Sequence, residues 1–149
     1  MKTLLLSNEE AAKTGFTHKA ILSYAQGDFT AAGLTQSFTL SAPAAGKIIQ
    51  GAARKIVTNV ASPAITSLIG RLGDSADDDG FLVDAQIHAG ATPVTYQAGD
   101  GALLNQAGGK VYQAADTLIY KLTAITANIS TITAGEVHLY WKEIDLTKI

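Results

Sequence analysis

The clearest pattern in this chain is a two-residue alternation of apolar and polar positions. Leu118, Tyr120 and Leu122 alternate with Ile119, Lys121 and Thr123, and Val137, Leu139 and Trp141 alternate with His138, Tyr140 and Lys142. Successive side chains of a strand point to opposite faces, so each run predicts a strand. The second run buries Val137, Leu139 and Trp141 and turns His138 and Tyr140 outward. After Trp141 the apolar parity moves to Ile144 and Leu146, which calls for a bulge or a departing tail. Earlier, His18 to Tyr24 reads as a strand, and Thr35 to Leu40 sets Gln36, Phe38 and Leu40 against Thr35, Ser37 and Thr39. The long run from Lys47 to Val60 fits two registers and therefore predicts a bulge or an interruption. Ala64 to Leu72 carries Ile65 and Ile69 on one parity and Leu68 and Leu72 on the other, as in a strand covered on both sides. A loop from Gly73 to Gly80 leads into Phe81-Leu82-Val83, and the Gly-rich and Ala-rich stretch from Ala89 to Lys110 leaves room only for short strands.

At the amino terminus Ser7 stands three positions ahead of Glu10, the spacing of a capping box, and Gly15 ends the helix it would start. Residues 1–17 are thus expected to form an arm with a short helix, and residues 18–149 a single β-sandwich domain. About eight strands with no long amphipathic helix predict an all-β fold of two packed sheets, a jelly roll or a related sandwich, because that closes most hydrogen-bonding edges.

Composition narrows the chemistry. Cysteine is absent, which removes disulfides, thiolate nucleophiles and cysteine-ligated metals. Eleven Lys plus Arg against thirteen Asp plus Glu leave a net charge of -2 with no basic block, so neither nucleic acid nor a membrane is an expected partner. Charged residues are only 16% of the chain, below the quarter typical of soluble domains, and a weakly solvated exterior is expected to be covered by oligomerisation or by docking. The apolar run Leu4-Leu5-Leu6 is too short for a signal peptide, so assembly in the cytoplasm of the producing cell is expected.

Candidate sites are few. His18, His88 and His138 share no metal-binding spacing, and no Gly-x-Ser-x-Gly elbow is present. Gly108-Gly109-Lys110 has the form of the end of a phosphate loop, but Leu104 and Val111 occupy the positions of its glycine and its Ser or Thr. The acidic loop is the best ligand candidate, with Asp74, Asp77 and Asp79 able to offer oxygens to a hard cation. Laid on an EF-hand, Asp77, Asp79 and Gly80 fit, while Ser75 and Gln86 fill the first and twelfth positions, and a solvated turn explains the loop as well. No cofactor and no enzymatic activity are expected.

Several segments carry a resemblance. Phe38-Thr39-Leu40-Ser41-Ala42-Pro43-Ala44-Ala45-Gly46, Asn59-Val60-Ala61-Ser62-Pro63, Gly73-Asp74-Ser75-Ala76-Asp77-Asp78-Asp79-Gly80-Phe81-Leu82 and Thr133-Ala134-Gly135-Glu136-Val137-His138-Leu139-Tyr140-Trp141 together resemble the decoration, or cement, proteins of tailed bacteriophage capsids, over about residues 18 to 146. The resemblance is one of texture and order. It implies a β-sandwich on the outer surface of the virion head, bound to the major capsid protein, as a homo-oligomer with a trimer favoured over a dimer, and no catalytic residues. The alternative it leaves open is a tail, neck or fibre module that binds a host-surface glycan. Interface residues expected on this reading are Leu4, Leu5, Leu6 and Phe16 in the arm, Tyr96, Leu103 and Leu104 in the stretch from Ala89 to Gly109, and the outward Tyr140.

Overall fold

Inward parity decides which face of each strand meets the core. The computed structural model describes residues 1–105 and 108–149, and among them ten strands form two sheets. The first sheet runs β1 (Lys2–Leu5), β2 (His18–Ser23), β10 (Ala134–Asp145), β4 (Lys47–Ala61), β7 (Tyr96–Ala98), with β8 (Lys110–Val111) also paired to β4. The second runs β3 (Thr35–Ser41), β9 (Leu118–Ile125), β5 (Ser67–Gly73), β6 (Leu82–Gln86). Strand pairing is antiparallel throughout, and the pairs are nested: β2 with β10, β3 with β9, β4 with β7 and β8, β5 with β6. One long ribbon folded in half and wound over itself has this order, which is that of a jelly roll. The fold is an all-β sandwich, as the alternation predicts.

The core is the layer between the two inner faces. Leu22, Val137, Leu139 and Trp141 from the first sheet meet Leu68, Leu72, Leu118, Tyr120 and Leu122 from the second, all completely buried. Each such side chain contributes about 1.5–3 kcal/mol relative to leaving it in water.

Strand β4 resolves its two-register sequence with bulges. Val137 pairs with Ile56 but Glu136 with Thr58, which leaves Val57 extra, and Lys142 pairs with Gly51 but Glu143 with Ile49, which leaves Gln50 extra. The inward set consequently changes phase from Ile49 to Ala52, Arg54 and Ile56, and Val60 keeps the parity of Ile56 because a further shift between Ala134 and Glu136 compensates for the one at Val57. The second bulge lies opposite the point after Trp141 where the parity of β10 changes.

Two expectations differ from the structure. The segment before β5 is not strand, and β5 itself is covered on one face: Leu68, Gly70 and Leu72 point inward while Ile69 and Arg71 are half-exposed. Ile65 is buried from the preceding turn, which is why both parities look apolar. The arm also contains a strand, since β1 pairs with β2 from Lys2↔Ile21 to Leu5↔His18. Between them α1 (Asn8–Thr14) buries no residue and is held by its ends: the Ser7 and Glu10 capping box is formed, and Gly15 takes a left-handed φ of 76°.

A guanidinium lies between the two sheets. Arg54, 1% exposed, points inward from β4, and its Nη1 donates to the Gly70 carbonyl at 3.2 Å and to the Tyr120 hydroxyl at 3.4 Å. Gly70 makes the space for both, because a Cβ there would sit 2.0 Å from the Tyr120 hydroxyl and 3.1 Å from Arg54 Nη1. Gly70→Ala is therefore expected to cost about 1–3 kcal/mol in urea unfolding, and adding Tyr120→Phe, which removes the nearest clash, to recover part of that loss.

Candidate functional site

The outward positions of the first sheet line up in two cross-strand rows. Leu4, Lys19, Tyr140, Ala53 and Ala98 form one, and Lys2, Ile21, His138, Lys55 and Tyr96 form the next. Register across five strands thus brings into one row side chains as far apart in sequence as Leu4 and Tyr140. Small residues at Ala53 and Ala98 leave a hollow between Tyr140 and Tyr96, and Phe16, just past the Gly15 cap, closes its side with its ring 5.9 Å from that of Tyr140. The result is an open, mostly apolar groove of about 370 Å³ walled by Phe16, Tyr96 and Tyr140.

Basic groups frame the groove. Lys19 Nζ lies 5.5 Å from the centre of the Tyr140 ring and Lys55 Nζ 5.9 Å from that of Tyr96, both within cation–π range. His138 sits between them with Nε2 2.5 Å from Glu136 Oε1 and Nδ1 3.4 Å from the Tyr140 hydroxyl. Burial holds the His138 imidazole below its ordinary pKa, Glu136 works against that, and Lys19 and Lys55 reinforce it. The arrangement can seat an apolar side chain and attract carboxylates around it.

Across β2 from the groove, the sheet ends at β1. Leu6 N–H donates to the Thr17 carbonyl, so the antiparallel pattern turns the backbone N–H and C=O groups of Thr3 and Leu5 to the open side. Leu5 is 75% exposed, and Lys2 is the sole charged side chain on this edge strand. Charge is a usual guard of an exposed edge, and here it is sparse.

Of the interface residues expected from the sequence, the structure brings Phe16, Tyr96 and Tyr140 into one groove, with Leu4 in the same row as Tyr140 and Leu5 on the edge beside it. Leu4, Leu6, Phe16 and Tyr140 are half-buried, and Tyr96 is 70% exposed. Leu103 needs correction: it belongs to the core, packed over Gly80, and Leu104 is partly buried against the same cluster. The short helical turn Ala102–Asn105 pins both, with Leu103 N–H donating to the Gly80 carbonyl. Gln106 and Ala107, within the segment from Ala89 to Gly109, lie outside the described residues.

The acidic loop is organised by its own first carboxylate. Asp74, 2% exposed, accepts from the backbone N–H groups of Ala76 and Asp77 through Oδ1 at 3.0 and 3.1 Å, and from the Tyr112 hydroxyl through Oδ2 at 3.1 Å. Burial, then the Asp74 charge, push the Tyr112 phenol well above its ordinary pKa, so it remains a donor. Asp78 is taken by Lys121 and Arg71. Asp74, Asp77 and Asp79 do not converge on a shared point, and no group of three His, Cys, Asp or Glu placed to hold a metal occurs among the described residues. Of the other histidines, His18 stacks on Trp141 at 5.2 Å, and buried His88 bonds to the Ser62 backbone and accepts from Gly90 N–H.

Sequence reasoning does not find Lys19, Lys55, Ala53 or Ala98 as parts of one site. The parity of each strand is legible, but the register that aligns them comes from non-local strand pairing.

No protein-family model matches this chain, and no curated protein does. A solved structure, the acidic stable capsid structure of Helicobacter pylori bacteriophage KHP30, is similar over 85% of this chain and 90% of that chain, with 11% sequence identity and a TM-score of 0.47.

Burial lowers the pKa of both His18 and His138 from 6.5, so the folded chain prefers their neutral forms. Their contribution to stability is complete above 6.5 and is lost as pH falls through the lower folded values. The urea midpoint is expected to drop between about pH 7 and about pH 5, ahead of carboxylate titration, and to drop less in His138→Gln.

Proposed function

We propose that this chain is a virion structural protein that binds the outer surface of an assembled phage head and stabilises the capsid, acting through covered surface and not through catalysis. The single observation that carries this reading is the open β1 edge, with Leu5 75% exposed and the backbone groups of Thr3 and Leu5 turned outward, on the sheet whose outer face carries the apolar groove. Such an edge invites pairing with another chain, and the structure leaves it neither bulged nor capped. The sequence resemblance to phage decoration proteins and the 16% charged composition support the same reading. In it, the edge meets the major capsid protein and the groove meets a neighbouring subunit. Each contact is weak, and many symmetric copies on one shell make the sum strong, because a partner that binds only the assembled state shifts the equilibrium toward it.

The test is to add the purified chain to expanded phage heads and follow their disruption by scanning calorimetry. Saturable binding and a higher disruption temperature are expected. Leu5→Asp, which places a charge on the edge without touching the core, is expected to weaken binding at least roughly tenfold, as loss of a central interface side chain does, while leaving the melting temperature of the free protein unchanged. Heads that melt at the same temperature with and without saturating protein would refute the reading.

A further inference from the structure

The few charges of this molecule are sorted by face. On the outer face of the first sheet Lys2, Lys19, Lys55 and Lys142 have no ion-pair partner among the described residues, whereas Lys13, Lys47, Lys121, Lys148 and Arg71 do. Of the carboxylates on the same side, Glu136 is hydrogen-bonded to His138, and Glu10, within reach of the Lys19 charge, to Ser7. On the opposite side of the sandwich, Arg71 and Lys121 are cross-strand partners pointing outward from the second sheet, and Asp78 bridges them. Beyond them Asp77 and Asp79 have no ion-pair partner among the described residues, and Asp79 is held above its ordinary pKa by the adjoining Asp77 side chain, then by burial and by the charges of Asp77, Asp84 and Asp78.

Two further features fit these surfaces to each other. Ala76, exposed and small, sits directly before Asp77, so the loop offers an apolar side chain next to a carboxylate to a groove that is apolar at its floor and basic at its rim. Asp74 and Tyr112 fix that loop from inside the protein, through bonds to Ala76 and Asp77 N–H, which lowers the ordering cost of docking it. A base-stacking ligand is disfavoured, since Lys19 and Phe16 already lie against the Tyr140 ring and Lys55 against Tyr96.

We infer that the groove receives the Asp77–Asp79 loop of a second copy of this chain, in a head-to-tail contact. A two-fold contact of groove face on groove face is disfavoured, because it would set the four unpaired lysines against four. The two complementary surfaces lie on opposite sides of the sandwich, so two copies cannot satisfy both contacts reciprocally. Association therefore passes beyond a dimer, closing as a ring where the rotation allows and continuing as a chain where it does not. This rests on the reading of the chain as a shell protein only in naming which neighbour fills the groove.

Sedimentation of the isolated protein over a concentration series tests it without any capsid. At about 20 mM salt, species larger than a dimer are expected, and raising salt to about 300 mM should weaken association roughly tenfold. Lys19→Glu with Lys55→Glu should abolish it, and so should Asp77→Lys with Asp79→Lys, each with an unchanged far-ultraviolet circular dichroism spectrum. Mixing the two double variants should restore it, because each then offers the surface that the other lacks. A protein that stays monomeric at high concentration and low salt, that stops at a dimer, or whose association ignores both reversals would overturn the inference. A monomer that still raises capsid disruption temperature would sink this contact alone, whereas a chain that associates as described but never binds heads would sink the shell reading alone.

Discussion

Strand β10 is flanked by β2 and β4 along most of its length, and the position of everything else follows from that double pairing. Its inward residues Val137, Leu139 and Trp141 are fully buried, while on its partners Leu22 and Ile56 stand opposite Val137, and Ala20 and Arg54 opposite Leu139. Slipping either partner by one residue would turn Val137 and Trp141 against outward side chains such as Lys19 and Lys55, so the hydrophobic term fixes the register. Bulges in β4 let a fifteen-residue strand follow the twist of a twelve-residue one without breaking the pairing.

The candidate site is the reverse side of the same constraint. Because Leu139 must point in, Tyr140 and His138 must point out. Because the register is fixed, Lys19, Ala53 and Lys55 come to lie beside them. Wide side chains at Tyr140 and Tyr96 and small ones at Ala53 and Ala98 make a hollow with no dedicated element. Buried Asp74 does for the acidic loop what the sheet does for the groove: it fixes the backbone so that the loop's outward carboxylates hold one arrangement. The cost of a buried carboxylate is offset by three donors, one of them a phenol that stays protonated.

Much of this was legible from the chain. Period-two alternation locates β3, β9 and β10 and the outward turn of Tyr140, and the doubled register of the run from Lys47 to Val60 announces the bulges of β4. Local chemistry gives the Ser7 and Glu10 box and the Gly15 stop. Non-local facts were not legible. Lys2 to Leu5 shows no alternation because an edge strand with one thinly covered face has no parity to enforce. Leu103 is indistinguishable in sequence from an exposed leucine on a loop, and what buries it is the absence of a side chain at Gly80. Arg54 sits on an inward position that a hydrophobic pattern would assign to an aliphatic residue, and a glycine and a tyrosine from the opposite sheet accommodate it.

The short helix α1 packs nothing into the core, and its ends carry its stability. Such an element opens locally at a free energy far below that of the sheets, so its amide protons should exchange early while those of β10 persist. Phe16 does not share that fate. One residue further on, Thr17 N–H donates to the Trp141 carbonyl at 3.0 Å and its hydroxyl accepts from Glu143 N–H at 2.9 Å. The helix can open locally while β1 on one side and Thr17 on the other stay paired, so the ring that walls the groove keeps its place beneath a fluctuating loop tied at both ends.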